Sequence, residues 1–364
     1  MDPMRIAVDA RPLEERPTGV GRYLEGLLTA WLGERSDDSF ALLSPRPVFL
    51  PASLEGRVEV FRSRALPGTV WLQTAAGAAA NRAGADAFLG ALGIVPLASG
   101  PPSVATIHDL TPLLFPEWHS WKNRLGFTPF IGRSVRVARR IATVSEHSRR
   151  DLVRRFPGAA EKTVVVYNGV TIGCSRTRGT PPNEGRPYVL SLGTFEPRKN
   201  VARLVEAMES IWDRRPEFPD LVLAGVPGWG MSGLGVRLGA SRHAARIRSA
   251  GYLAGDARGR WMEAARVFAY PSLYEGFGLP PLEAMALGTP VVASSASSLP
   301  EVVGDAGLLP DPWDVGAIAR ALERAQDDEA FRRAAATKGP ARAAAFTWSS
   351  AARKMRTLFE EALG

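Results

Sequence analysis

The stretch Pro271-Ser-Leu-Tyr-Glu275-Gly-Phe-Gly-Leu-Pro280-Pro-Leu-Glu283-Ala-Met-Ala286 decides how this chain is read. The apolar run before it, Val267-Phe-Ala-Tyr270, has the length and continuity of a strand buried in a parallel sheet. Pro271 and Ser272 end that strand, and a carboxylate, Glu275, follows with two glycines flanking Phe277. From Leu279 to Ala286 the residues are good helix formers, with Pro280 and Pro281 in the first turn, where proline is tolerated. A strand, a glycine loop and a helix N-terminus in that order turn backbone N–H groups and the positive end of a helix dipole toward an anion such as a phosphate. Gly276 and Gly278 carry no Cβ, so a ligand can approach that backbone closely. Glu275 and Glu283 are eight residues apart, an interval of about 12 Å if wholly helical. It suits two ends of one extended ligand better than an acid–base pair around one bond. A strand–loop–helix that merely contains two acids has the same pattern.

The stretch resembles the signature of the retaining GT-B glycosyltransferases of the large family 4. The resemblance is carried by Glu275-x7-Glu283 and the residues between them, and it continues through Gly288, Pro290, Val291, Val292 and Ala293. It implies an α/β chain with the GT-B architecture, two Rossmann-like doubly wound domains with an interdomain cleft that holds a nucleotide sugar.

Upstream, Tyr188-Val-Leu-Ser-Leu192 reads as a strand, followed by Gly193-Thr-Phe-Glu-Pro-Arg198-Lys199-Asn200 and apolar residues at helical spacing, Val201, Leu204, Val205 and Met208. Two adjacent cations at a strand-to-helix turn suit a diphosphate, arginine gripping bidentately and lysine acting as a point charge; a solvated turn is the plainer alternative. The resemblance extends to Glu-Pro-Arg-Lys-Asn and implies that Arg198 and Lys199 bind the donor phosphates. Some relatives have arginine directly after the glycine, where this chain has Thr194, so Arg198 has to supply that charge. Gly228-Trp-Gly-Met-Ser-Gly233 is a literal G-x-G-x-x-G, but it begins several residues after the strand Leu221–Ala224 and no acid closes a following strand, so it reads as a flexible loop and not a dinucleotide site. At Gly251-Tyr252 the resemblance implies backbone contacts to the nucleotide base. Downstream, Pro300-Glu-Val-Val-Gly-Asp305-Ala continues the family pattern, helices run to about Ala345, and a final helix, Ser349–Leu363, is implied to cross back to the first domain with Trp348 as a packing residue.

The first half repeats the strand–helix alternation. Met4–Asp9 is a strand, and Gly19-Val-Gly21 stands at the mouth of a helix with apolar Tyr23, Leu24, Leu27, Leu28 and Trp31. Alone this is a weak phosphate-loop signal; the resemblance places Gly19 and Gly21 near the diphosphate and the acceptor. Phe40–Leu43, Val58–Phe61 and Ala87–Leu89 read as strands, as does Val104–Ile107, which ends at His108-Asp109. A histidine at the carboxyl end of such a strand sits on the rim where ligands bind. A lone histidine there is more often a core or capping residue, and it is the Ile-His-Asp-Leu context that implies His108 faces the donor sugar. Ile141–Ser145 is strand-like, with Ser145 capping a helix through Phe156. The expected organisation is an acceptor-binding domain at 1–170 completed by 346–364, a linker rich in Gly, Pro, Ser and Thr at 171–186, and a nucleotide-sugar domain at 187–345.

A chain of 364 residues with 45% hydrophobic and 23% charged residues is an ordinary globular one long enough for two domains. Its single cysteine, Cys174, excludes an internal disulfide and fits a reducing compartment. No signal peptide and no membrane-spanning segment is expected, and the location read from this is cytoplasmic. The net charge is +8. Residues 112–155 hold ten Lys/Arg against three acids, a balance of +7, together with Trp118, Trp121, Phe127, Phe130 and Ile131. That segment is either a solvated basic helix or one that meets an anionic membrane surface; no nucleic-acid module is visible, so nucleic acid is not an expected partner.

The activity implied is transfer of a sugar from a nucleotide-diphosphate donor to a hydroxyl, with retention. The catalytic residues that the resemblance implies are His108, Arg198, Lys199 and Glu275. It implies that the nucleotide sugar is held by Gly19, Gly21, Gly251, Tyr252, Gly276, Phe277, Gly278, Leu279 and Glu283, the last on the ribose hydroxyls. No Asp-x-Asp is present, so no metal or other cofactor is expected; the two cations and the helix dipole would steady the leaving diphosphate. The variants of the motifs look most like bacterial surface-polysaccharide mannosyltransferases, which points to GDP-mannose and a glycan, lipid-linked or small-molecule acceptor. A sugar-nucleotide epimerase or phosphorylase of the same fold, and a non-catalytic nucleotide-binding or membrane scaffold, are the alternatives.

Overall fold

The computed structural model describes residues 2–14, 19–35, 37–63, 68–171, 182–226, 228, 235, 238–253 and 255–364, with backbone only at 122 and 123. The linker expected at 171–186 lies outside the described residues from 172 to 181, Cys174 included, and so does most of the Gly228–Gly233 loop. The chain forms two compact units, Met1–Gly169 with Phe346–Gly364, and Val170–Ala345.

In the first unit the strands are β1 (Arg5–Asp9), β2 (Ser39–Ser44), β3 (Glu59–Arg62), β4 (Ala87–Gly90), β5 (Ser103–Ile107), β6 (Arg140–Thr143) and β7 (Thr163–Val165). They form one parallel sheet in the order β3-β2-β1-β4-β5-β6-β7, so the winding reverses between β1 and β4. Alternate residues of β1 enter different cores: Ile6 and Val8 join Leu24, Leu27 and Trp31 of the helix Gly19–Glu34, while Ala7 joins Trp71, Leu72 and Ile131. Both faces of the sheet are therefore covered at its centre, and continuous apolar runs rather than alternating ones encode the inner strands, while the edge strand β3 is largely exposed. The last helix, Trp348–Leu363, adds Ala351, Met355, Leu358 and Phe359 to the first of these cores. Two glycines admit Trp348: a Cβ on Gly26 would lie 2.2 Å from its indole, and one on Gly169 would lie 2.1 Å from its backbone nitrogen.

Ser145 caps the helix Glu146–Arg155, its Oγ accepting from Ser148 N. The basic stretch 112–155 is not one helix. Prolines and Gly126 divide it into Thr111–Leu114, Trp121–Gly126 and Thr128–Val137, followed by β6 and the helix Glu146–Arg155. Its charge is spread over several elements. Among the described residues no helix is long and apolar enough to cross a membrane.

In the second unit β8 (Tyr188–Leu192), β9 (Asp220–Ala224), β10 (Ile247–Gly251), β11 (Val267–Tyr270) and β12 (Val291–Ala293) form a parallel sheet in the order β10-β9-β8-β11-β12. Here the reversal falls between β8 and β11, which pair directly. The helix Val201–Arg214 buries Val201, Leu204, Val205, Met208, Ile211 and Trp212 at the predicted spacing. It starts at Asn200, whose left-handed backbone (φ 59°) is held by side-chain Nδ2 bonds to the carbonyls of Pro271 and Pro312 at 3.0 and 2.7 Å.

Candidate functional site

Ligands of doubly wound sheets lie beyond the carboxyl ends of the strands, where the winding reverses. In the second unit those ends carry the two motifs singled out in the sequence. The turn after β8 holds Arg198 and Lys199, and the loop after β11 holds Glu275. A backbone bond from Leu273 N to Arg198 O, 2.8 Å, ties turn to loop.

Glu275 is buried, 6% exposed, and both of its oxygens face cations. Lys199 Nζ donates to Oε1 at 2.5 Å, and Arg198 Nη1 donates to Oε2 at 3.0 Å and to the Tyr274 carbonyl at 3.1 Å. Arg198 Nη2 reaches Glu196 Oε1 at 2.6 Å, and Lys199 Nζ also donates to the Tyr270 hydroxyl at 2.6 Å. Behind the carboxylate, Glu275 N donates to Ser297 Oγ at 2.8 Å, and Ser298 Oγ lies 2.9 Å from the carbonyls of both Glu275 and Phe277. Burial opposes charge on Glu275, but Lys199 and Arg198 outweigh it and hold the carboxyl at about 2. Lys199 is pushed below its ordinary value, first by burial and then by Arg198, with Glu275 acting in the opposite sense.

Gly276, Phe277, Gly278 and Leu279 lead from Glu275 into the helix Leu279–Ala286. Gly278 caps it at φ 110°, and a Cβ there would come 2.7 Å from Leu299 Cδ2. A helix leaves its first N–H groups without intrahelical partners. Here Pro280 and Pro281 have none to leave, so the donors of this helix end narrow to the backbone N–H groups of Gly278 and Leu279. Glu283 lies one turn further on, buried, and its Oε2 accepts from Arg258 Nε at 2.9 Å and from Arg258 Nη2. Gly251 ends the edge strand β10 with φ 64°, and Tyr252 beside it is 37% exposed. Along this rim Gly193 and Gly225 follow β8 and β9; a Cβ on Gly225 would meet Gly193 O at 1.8 Å, so the rim is kept low by close backbone contact.

Gly19, Gly21 and His108 belong to the first unit, where Tyr23 joins the helix of the two glycines to His108. Gly19 and Gly21 form the first turn of the helix Gly19–Glu34. Tyr23, two residues on, meets the His108 ring edge-on at 4.8 Å and bonds to Thr106 Oγ1 at 2.9 Å. His108 Nε2 lies 2.9 Å from the Ala91 carbonyl, just beyond β4. A carbonyl only accepts, so Nε2 carries the proton and the acceptor of the neutral ring is Nδ1. Burial lowers the pKa of His108 and favours that neutral form, with the Ala91 bond opposing. Asp109 caps its own turn, accepting from Thr111 N and Oγ1 at 2.9 and 2.6 Å.

Several residues beside these were not singled out in the sequence. Tyr270, Glu196 and Arg258 touch Lys199, Arg198 and Glu283 respectively. Asp9 and Arg11 form a buried bidentate pair at the end of β1, with bonds of 2.8 and 2.6 Å, where the winding of the first sheet reverses. The available signal for that pair was Asp-x-Arg at the end of a strand.

Comparison with known proteins follows the same division. Residues 56–173 match the model of Glycosyltransferase Family 4, and residues 177–342 match that of Glycosyl transferases group 1. O-antigen chain mannosyltransferase B of Escherichia coli is 37% identical over 262 residues, 68% of this chain and 67% of that protein. MMP alpha-(1->4)-mannosyltransferase of Mycolicibacterium hassiacum is 31% identical over 381 residues, covering all of this chain and 83% of its own. Among solved structures, sucrose-phosphate synthase from Thermosynechococcus elongatus superposes with a TM-score of 0.77 at 19% identity over 99% of both chains. HepE of Anabaena, in complex with UDP and glucose, gives 0.72 at 20% identity, over 98% of this chain and 99% of its own. These structures share the GT-B fold with it. The epimerase, phosphorylase and scaffold readings have no counterpart among these proteins. The chain belongs to the group 1, family 4 glycosyltransferases and is a glycosyltransferase of mannosyltransferase-like type.

Proposed function

We propose that the protein transfers mannose from GDP-mannose, with retention of the anomeric configuration, to a hydroxyl of a glycan or lipid-linked acceptor. The observation that carries the reading is the convergence of Lys199, Arg198 and Glu275 where the second sheet reverses, beside the Gly278 and Leu279 amides. Two cations and a helix end at one crevice favour a diphosphate, and they stabilise it most when it leaves with extra charge. The two mannosyltransferases reported above support the sugar; UDP-glucose bound by HepE supports the nucleotide-sugar class.

In this reading Lys199 and Arg198 hold the diphosphate, and Glu275 orients the sugar hydroxyls. Glu283, held by Arg258, receives the ribose, Gly251 and Tyr252 the base, and His108 the sugar. A carboxylate held at about 2 with a cation on each oxygen is a weak nucleophile and a weak base. That favours same-face substitution, with the leaving phosphate taking the acceptor's proton, over a covalent intermediate on Glu275. The charge stabilisation comes from side chains and amides, and the reading assigns no metal. A thermal-shift screen against GDP-, UDP-, ADP- and dTDP-sugars tests the donor, because a ligand that binds the native state raises the midpoint by mass action. No shift with any of them overturns the reading; a shift with UDP-sugars alone overturns GDP-mannose. NMR of the product's anomeric proton tests retention.

For the acceptor, Trp121 and Leu125, 66% and 70% exposed, share a groove of about 480 Å³ with Arg124, Pro112 and Leu113. Exposed aromatic and aliphatic side chains beside basic residues suit the surface of an anionic membrane, and we place a peripheral contact at 121–128 of a cytoplasmic enzyme. Flotation with anionic vesicles at low salt tests it: Trp121→Ala/Leu125→Ala protein should stay at the bottom of the gradient, and failure of the wild type to float removes the contact.

A further inference from the structure

Tyr270 is the last residue of β11 and is 3% exposed. Its hydroxyl accepts from Lys199 Nζ at 2.6 Å, and that nitrogen stands 4.9 Å from the centre of its ring. An ammonium has three protons. Glu275 takes one and Tyr270 a second, so the direction of the third is set before a ligand arrives. A lysine stem loses more rotamer freedom than most side chains when it is fixed. Here it is fixed in the folded protein and not at the moment of binding, which is how preorganisation raises affinity.

The chemistry of the second acceptor matters. A second carboxylate in that place would orient Lys199 equally well but would add a further negative charge to the one Glu275 already brings. A phenol orients it and adds none. Burial raises the pKa of Tyr270 well above its ordinary value, so its hydroxyl stays neutral. We propose that Tyr270 is a positioning residue for donor binding, its neutral hydroxyl aiming the Lys199 ammonium at the diphosphate of the nucleotide sugar. The inference rests on the reading of Lys199 as a diphosphate ligand.

Tyr270→Phe removes only the hydroxyl and keeps the ring, so the fold is retained; the thermal midpoint checks this. With the nucleotide sugar that stabilises the wild type, kcat/KM should fall about ten- to hundredfold, the range of a hydrogen bond to a charged group. GDP and UDP, titrated as probes, should bind more weakly by calorimetry. The groups facing Lys199, namely Arg198, Glu196 and Glu275, are unchanged in the variant. The loss of an acceptor therefore moves the alkaline limb of the kcat/KM profile to lower pH, which a purely structural residue would not do. On a Lys199→Met background Tyr270→Phe should add nothing, because it acts through that lysine. If Lys199→Met is inactive while Tyr270→Phe keeps the wild-type kcat/KM and alkaline limb, the inference fails and the diphosphate site stands. It fails equally if the phenylalanine costs as much on the methionine background. If Lys199→Met turns over like the wild type, the diphosphate site and the inference fall together.

Discussion

Glu196 Oε1 lies 2.6 Å from Arg198 Nη2, and this second carboxylate sets the charge of the site. Arg198 and Lys199 carry two positive charges; Glu275 and Glu196 carry two negative ones, so the four groups sum to zero. In the proposed function, diphosphate affinity would then depend on the direction in which the cations and amides point, and Glu196 would limit how tightly the leaving nucleotide is held. Glu196→Gln leaves one net positive charge. We expect it to bind GDP or UDP about tenfold more tightly, with a steeper loss of affinity on adding salt, and to turn over more slowly if product release limits the rate. Calorimetry at two ionic strengths checks this. Weaker binding would mean that Glu196 matters for holding Arg198 and not for its charge.

Glu275 makes a second prediction, about acid stability. Its carboxyl is held at about 2 against an ordinary 4.5. A lowered carboxylate contributes stability above its unfolded pKa and loses that contribution as pH falls through its folded one. The window here runs from about 4.5 down to about 2, and the contribution is about 3 kcal/mol. Glu275→Gln should therefore destabilise the protein near neutral pH by about that much, since it leaves two half-buried cations with Glu196 alone, and should lower transfer by at least about a hundredfold. Urea midpoints of wild type and variant should converge as pH falls from about 4.5 to about 2. A gap that persists at the acid end would show that the loss comes from packing and not from ionisation.

The sequence made both sheets legible because parallel strands buried on two faces are plain apolar runs, and because the turns after β8 and β11 carry chemistry that neither helix nor strand needs. The partners of that chemistry were hidden for a physical reason. Tyr270 reads as one more apolar residue of a strand; its hydroxyl acquires meaning only when β8 and β11 pair and bring Lys199, 71 residues away, against it. Arg258 belongs to a helix with no apolar periodicity to draw attention, and it meets Glu283 only through tertiary packing. The basic stretch 112–155 misled in the opposite sense. Its composition suggested one helix, while its prolines and Gly126, local signals present in the same residues, divide it.

Two glycines separate steric from functional need. Gly278 sits at φ 110° with Leu299 Cδ2 2.7 Å from where a Cβ would be. Gly278→Ala should lower stability by about 1–3 kcal/mol and also lower activity. Among the described residues nothing lies within 4 Å of the would-be Cβ of Gly19, and its φ is not unusual, so Gly19→Ala should melt like the wild type. If the first turn of its helix receives a ligand backbone-to-phosphate, the added methyl still obstructs it, and kcat/KM falls about tenfold or more at an unchanged midpoint. Unchanged kcat/KM in Gly19→Ala would remove Gly19 from the site.

His108 gives the last test, because its hydrogen bond dictates its protonation. Nε2–H donates to Ala91 O at 2.9 Å, leaving Nδ1 as an acceptor, and burial keeps the ring below its ordinary 6.5. Above the unfolded value both states hold a neutral ring and its contribution is complete. Below it the unfolded chain takes up a proton that the native ring resists, so stability falls as pH drops through about 6.5, until the folded pKa is reached. His108→Gln, which does not titrate, should lack that part of the acid sensitivity. It should also lose transfer activity if Nδ1 accepts from a hydroxyl of the donor sugar. Nitrogen-15 spectra of labelled histidine should show a neutral ring at pH 7 with the proton on Nε2. An imidazolium signal at that pH would mean that both nitrogens donate, and His108 would then be a partner for an anion and not for a sugar hydroxyl; equal acid sensitivity in the glutamine variant would mean that the fold does not shift the ring's pKa.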